Sequence, residues 1–159
     1  MYALTQQLTE AAGLPAYEIS NHARPGAESR HNLVYWRYGD YAGVGPGAHG
    51  RLTVNGERLA TETLRDPAAW LAASGRQGAT TTSEALSPDD QATEYLMMSL
   101  RLSEGSDLAR FARLNGSPLP EPRLRSLEEE GLVLREGDRL TTSPSGRPLL
   151  DAILRALLV

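Results

Sequence analysis

Four glycines, Gly43, Gly45, Gly47 and Gly50, fall within eight positions of the run GVGPGAHG, and Pro46 stands among them. Proline removes a backbone N–H and blocks a continuous helix, while glycine opens left-handed backbone conformations. The run is therefore a loop, and its flanks must be built from separate elements. Two readings of it stay open. Glycine lets a ligand approach the backbone, and freed N–H groups can hold an anion; alternatively the run is a tight turn packed against a neighbour. It is neither a GxxxxGK[ST] phosphate loop nor a GxGxxG fingerprint in a complete βαβ unit. His49, at its end, is either a ligand or a hydrogen-bonded structural histidine.

The flanks have readable periodicity. YALTQQLTEAAG carries Leu4, Leu8 and Ala12 at a spacing of four and stops at Gly13, which predicts an amphipathic helix. AYEIS, after Pro15, reads as a short buried strand, and the polar NHARPGAESRHN as a surface loop. Beyond the glycines, RLTVNGERLAT alternates around Asn55-Gly56 and predicts a hairpin; Asp66 then caps a short helix with Pro67 at its first position. GRQGATTTSEALSP, from Gly75 to Pro88, is small and polar, and reads as a boundary or an exposed crossover.

From Asp89 onward the pattern is mostly helical. A helix to Leu102 supplies Tyr95, Leu96, Met98, Leu100 and Leu102 to a core; a second follows with Ser106 as cap; a third, EPRLRSLEEEG, closes at Gly131. A hairpin turning at Glu136-Gly137-Asp138 and a last helix complete a winged-helix-like arrangement over residues 85–159. Its third helix carries Glu128, Glu129 and Glu130, and residues 85–159 hold 12 acidic against 9 basic groups. Duplex DNA, with one negative charge per about 1.7 Å, would repel that face, so no nucleic-acid partner is expected.

Composition narrows the chemistry. The 159 residues contain no cysteine, which excludes a disulfide framework, a thiolate zinc site and any iron–sulfur cluster ligated by this chain. The net charge is -4, short of the positive field that draws proteins to phosphates, and no apolar run approaches the roughly 20 residues of a membrane helix. The N-terminus lacks the basic and apolar regions of a secretion signal, so the expected setting is cytoplasmic.

SRHNLVYW, from Ser29 to Trp36, groups an imidazole, an amide and two large aromatics just before the glycines. If it is helical, His31 and Tyr35 share a face and can address one bound group. A neutral imidazole ligates iron well, and an aromatic wall suits a flat macrocycle. The alternative is that the aromatics pack beneath the loop while His31 caps a carbonyl.

YEISNHARPGAESRHNLVYWRYGDYAGVGPGAHGR resembles the late-barrel segment of the HemW-type heme chaperones, radical S-adenosylmethionine proteins akin to oxygen-independent coproporphyrinogen III oxidases. EYLMMSLRLSEGSDLARF, LEEEGLV and DRLTTSPSG continue the resemblance through the C-terminal domain that the two groups share. It implies an α/β plus mainly-α chain: terminal elements of a partial (βα) radical-SAM barrel over residues 1–84, then the winged-helix-like domain over residues 85–159.

The resemblance also implies a site. The family's HNxxY motif matches His31, Asn32 and Tyr35, with His31 as the iron-ligand candidate, Tyr35 a second contact and Asn32 an orienting partner. Gly43, Gly45, Gly47, Ala48 and His49 match a loop beside S-adenosylmethionine in the oxidases. Many relatives have cysteine where this chain has Ser29, so a cysteine contribution to heme binding is excluded here. Heme is the expected ligand of this chain; S-adenosylmethionine and a 4Fe–4S cluster belong to a longer parent whose CxxxCxxC motif lies upstream. Heme-accepting apo-proteins are the implied partners, with membrane contact only through an acceptor. An incomplete barrel edge would favour a homodimer or dependence on further chain. Two other functions stay open: part of a coproporphyrinogen oxidase, and a winged-helix interaction module without catalysis.

Overall fold

Asn55 and Gly56 turn the chain through left-handed backbone, at φ 53° and 84°, and so close the hairpin expected of an Asn-Gly pair. The computed structural model describes residues 1–74 and 80–159. In chain order it holds α1 (Tyr2–Ala11), α2 (Arg30–Trp36), β1 (His49–Val54), β2 (Glu57–Thr63), α3 (Pro67–Ser74), β3 (Thr80–Ala85) and α4 (Pro88–Ser99). There follow β4 (Ser106–Asp107), α5 (Leu108–Asn115), α6 (Glu121–Glu129), β5 (Val133–Glu136), β6 (Arg139–Thr142), a 3-10 turn (Arg147–Leu149) and α7 (Leu150–Leu158). Two compact units result, Met1–Tyr38 with Ala92–Val159, and Gly39–Gln91; the step between them falls inside α4, whereas the expected division lies between residues 84 and 85.

The Gly39–Gln91 unit is an antiparallel sheet in the order β1-β2-β3, with Leu52 opposite Leu59 and Val54 opposite Glu57. Asp66 caps α3 as expected, its Oδ1 accepting from the Ala69 N–H at 2.7 Å. The expected crossover needs correction over residues 80–85, which form β3 against β2. Residues 82–85 are exposed, so the segment buries little, as its composition indicates. It is nevertheless a strand, because an edge strand is held by its backbone ladder and β-branched threonines favour it. Residues 75–79 of that expectation lie outside the described residues.

In the other unit α1 stops as expected at Gly13, whose φ of 74° turns the chain away. Its apolar stripe is exposed, though, with Leu4 and Leu8 57% and 63% accessible. AYEIS is not a strand. Tyr17 N–H donates to the Asn21 carbonyl at 3.0 Å, and Glu18 folds inward to accept from the Ser20 N–H at 3.0 Å and from Asn21 Nδ2 at 2.7 Å. These local side-chain bonds outcompete the extended conformation that tyrosine and isoleucine favour.

The core is built by Leu96 on α4 and Leu100 just after it, Val133 and Leu140 on the β4-β6-β5 sheet, and Ile153 and Leu157 on α7, all wholly or nearly wholly buried. Of the expected α4 core, Tyr95 and Leu102 are buried too, while Met98 is half-buried. The cap of α5 is Asp107, which accepts from the Arg110 N–H at 2.8 Å, and not Ser106. Ser106 is fully buried, and its hydroxyl lies 2.6 Å from that of Ser99, so it satisfies a core partner instead of a helix end. The third helix, the hairpin and the last helix stand where the sequence puts them. The expected mixed α/β class is present, and every strand pair among the described residues is antiparallel.

Candidate functional site

Ser29 starts α2: its hydroxyl accepts from the Asn32 N–H at 3.3 Å, filling one of the donors a helix start leaves open. The helix that follows sets His31 and Tyr35 on one face, as the spacing predicts. The Tyr35 hydroxyl lies 3.0 Å from His31 Nε2, and the rings meet edge-on with centroids 4.7 Å apart. His31 is exposed and Tyr35 half-buried. With the proton on Nε2, the imidazole donates to the phenol oxygen and keeps the Nδ1 lone pair for a metal; with the proton on Nδ1, the phenol donates to Nε2. An exposed imidazole held by a neighbouring phenol has the chemistry of a residue that could ligate a metal, with Tyr35 fixing the orientation of the ring. Among the described residues no cluster of three His, Cys, Asp or Glu could hold a bare metal ion.

Asn32 faces elsewhere, its Nδ2 donating to the Tyr17 hydroxyl at 3.4 Å, so it ties α2 to the Tyr17–Asn21 turn and makes no bond to His31. At the other end of α2, the Arg101 guanidinium lies 4.6 Å from the centre of the Trp36 ring while donating from Nε to Glu18 at 2.7 Å. Burial works to raise the Glu18 carboxyl, but the Ser20 N–H, Asn21 and Arg101 outweigh it and hold it below its ordinary range. Tyr38 ends the segment in left-handed backbone at φ 56°, held by its buried ring and a 3.1 Å bond from its hydroxyl to Glu94.

The glycine loop belongs to the Gly39–Gln91 unit and is considered by itself. Two of its backbone donors are used internally: Gly47 N–H bonds the Leu64 carbonyl at 2.8 Å, and Ala48 N–H bonds the Thr63 hydroxyl at 2.8 Å. Thr63 in turn donates to the Gly45 carbonyl at 2.5 Å. Gly45 and Gly47 adopt positive φ, 109° and 70°, whereas Gly43 and Gly50 are small because a Cβ at either would strike neighbouring backbone or the Thr61 hydroxyl. His49 is exposed and opens β1 opposite Glu62. Of the two readings left open, the packed turn describes these bonds.

Sequence reasoning passed over two charged clamps. Glu18 with Arg101 is one. The other is Asp40, which accepts from the Thr53 N–H at 2.7 Å and its hydroxyl at 2.9 Å and pairs with the buried Arg58, whose Nη2 donates to the Gly39 carbonyl at 3.0 Å. Partial desolvation opposes ionisation of Asp40, yet Thr53 and Arg58 lower its carboxyl below the ordinary value. Neither clamp has a local spacing signal, since the partners are 83 and 18 residues apart.

Comparisons with known proteins agree on a family. Residues 86–149 match the model of the HemN C-terminal domain. The chain is 37% identical over 168 residues to a heme chaperone HemW of Mycobacterium tuberculosis, covering 99% of this chain and 38% of that protein. It is 33% identical over 156 residues to the heme chaperone HemW of Escherichia coli, covering 96% of this chain and 40% of that one. A mitochondrial radical S-adenosyl methionine domain-containing protein 1 of Bos taurus is 34% identical over 175 residues, covering 99% of this chain and 38% of its own. In fold, the chain is similar to the Escherichia coli coproporphyrinogen III oxidase HemN, a radical SAM enzyme, with TM-score 0.68, 18% identity, and coverage of 98% of this chain and 39% of that one. The chain thus spans about two fifths of the length of the curated relatives it matches. It belongs to the HemW- and HemN-like radical S-adenosylmethionine family.

Proposed function

We propose that this chain is the heme-contacting C-terminal part of a HemW-like chaperone, which binds heme and passes it to apo-proteins. The observation that carries the reading is the His31–Tyr35 pair, 3.0 Å apart on a capped, solvent-facing helix, in a chain matched over nearly its whole length by curated heme chaperones. His31 would ligate iron, Tyr35 would hold the imidazole, and Asn32 would steady the helix. S-adenosylmethionine and the 4Fe–4S cluster would act in a longer parent, since this chain has no cysteine to hold a cluster. On this reading residues 1–84 are the last elements of the barrel and residues 85–159 the winged-helix-like domain, in keeping with a family match that begins at residue 86. A cytoplasmic setting, heme-accepting apo-proteins and pairing with a second copy complete the proposal.

The second reading, part of a coproporphyrinogen oxidase, is favoured by the HemN-like fold. Comparing ferric heme with metal-free protoporphyrin separates the two. The chaperone reading expects binding that depends on iron, because imidazole contributes through the metal. Equal affinity for the metal-free ring would remove His31 from the account, and anaerobic turnover of coproporphyrinogen by a cluster-loaded parent would establish the oxidase instead.

A further inference from the structure

The outer face of α2 carries more than the His31–Tyr35 pair. An α-helix turns about 100° per residue, so Arg30, Val34, His31 and Tyr35 fall in that angular order within one arc of about 140°, with Asn32, Leu33 and Trp36 on the other side. Burial divides the helix in the same way. Arg30 and His31 are exposed and Val34 is 40% exposed, whereas Asn32 is tied to Tyr17 and Trp36 lies beneath the Arg101 guanidinium. A guanidinium, an aliphatic side chain and an imidazole held by a phenol thus follow one another across one accessible surface.

The guanidinium is unspent. Between Glu18 and Asp40 the sequence holds three arginines, Arg24, Arg30 and Arg37, against one acid, Glu28, a positive stretch in a chain of net charge -4. Arg37 is committed, its Nε and Nη2 donating to the two oxygens of Glu104 at 2.8 Å and 2.7 Å. The Glu28 carboxylate accepts from the Gly26 N–H at 3.1 Å. Arg30 has neither a hydrogen bond nor an ion pair among the described residues, and its exposure leaves its donors open to a ligand. Its planar fork matches the two oxygens of a carboxylate. Beside an exposed valine and a metal-ligating imidazole, that fork suits a flat, mostly apolar ligand with a metal at its centre and a carboxylate on its rim.

We propose that Arg30 binds a propionate of the heme whose iron His31 holds, with Val34 beneath the apolar body of the ring. The ring then lies along α2 with its acidic edge at Arg30, and this face selects tetrapyrroles with free carboxylates over their esters. The proposal rests on the heme reading of His31. Because Arg30 is exposed, the contact is modest in strength and sensitive to salt.

The test titrates ferric protoporphyrin IX and its dimethyl ester, both held monomeric in one neutral detergent, into the parent chain, Arg30→Gln, Val34→Asn and His31→Ala, followed at the Soret band. The parent chain binds the diacid at least about threefold more tightly than the diester, and raising the salt reduces that preference. Arg30→Gln removes the preference by weakening the diacid alone, keeps the ligand-field signature of imidazole, and leaves the melting temperature of the free chain unchanged. Val34→Asn weakens diacid and diester alike, by at least about twofold, because both lose the same apolar contact. Equal binding of diacid and diester by the parent chain, or an unaltered preference in Arg30→Gln, overturns the carboxylate contact while the imidazole signature leaves the heme reading in place. Unchanged affinity in Val34→Asn overturns the placement of the ring. Unchanged affinity and coordination in His31→Ala overturn the heme reading, and this proposal with it.

Discussion

Arg101 donates to the wholly buried carboxylate of Glu18 at 2.7 Å, although 83 residues separate them, and this ion pair underlies the end of the candidate heme-contact helix. Losing one partner of a buried pair costs more than the pair contributes, because the other charge is stranded. Arg101→Met is therefore expected to destabilise the unit by about 3–5 kcal/mol. Urea unfolding followed by Trp36 fluorescence measures it, and the emission of the folded variant shifts because the cation over the indole is gone.

The same pair sets an acid limit. Glu18 titrates below its ordinary value of about 4.3 in the folded chain, so its stabilisation is complete above that pH and is lost as pH falls through the lower folded value. Asp40 acts in the same direction from its ordinary value of about 3.9. Urea midpoints measured against pH fall in the acid range for the parent chain, and the fall is shallower in Glu18→Gln and in Asp40→Asn.

The glycine loop is expected to respond to bulk before it responds to any ligand. At Gly50 a Cβ would stand 2.5 Å from the Thr61 hydroxyl and 3.0 Å from the Gly43 nitrogen. Gly50→Ala is thus expected to cost about 1–3 kcal/mol through overpacking. Gly45→Ala meets no atom within 4 Å, yet has to adopt a φ of 109°, and is expected to cost about 1–3 kcal/mol through backbone strain alone. Thermal unfolding of the two variants without ligand checks both.

Ser29 links stability to the site. Ser29→Ala removes the cap of α2 and is expected to cost about 1 kcal/mol, while Ser29→Asp, an equally good cap, retains stability. The contact between the His31 and Tyr35 rings, followed by NMR, weakens in the first variant and persists in the second.

Where the fold was legible in the sequence, a local rule decided it. Asn55-Gly56 and Gly137 announce hairpins because few residues accept positive φ, and Gly13 and Gly131 mark helix ends for the same reason. His31 and Tyr35 could be paired from their spacing once α2 was helical. What was missed depends on partners distant in sequence or on competing local bonds. Glu18 looks like a polar position in a strand, and only its turn and Arg101 explain its burial. Ser106 has the residue type of a cap, but Ser99 claims its hydroxyl and the adjacent Asp107 takes the role. The leucines of α1 have helical spacing, which determines a face and not what covers it.

Heme titration followed at the Soret band, with the parent chain, Tyr35→Phe and His31→Ala, tests the central claim most directly. The account predicts a saturable, red-shifted Soret band for the parent, a smaller loss of affinity in Tyr35→Phe, and in His31→Ala an affinity at least about tenfold weaker with the ligand-field signature of imidazole absent. Unchanged affinity and coordination in His31→Ala would contradict it.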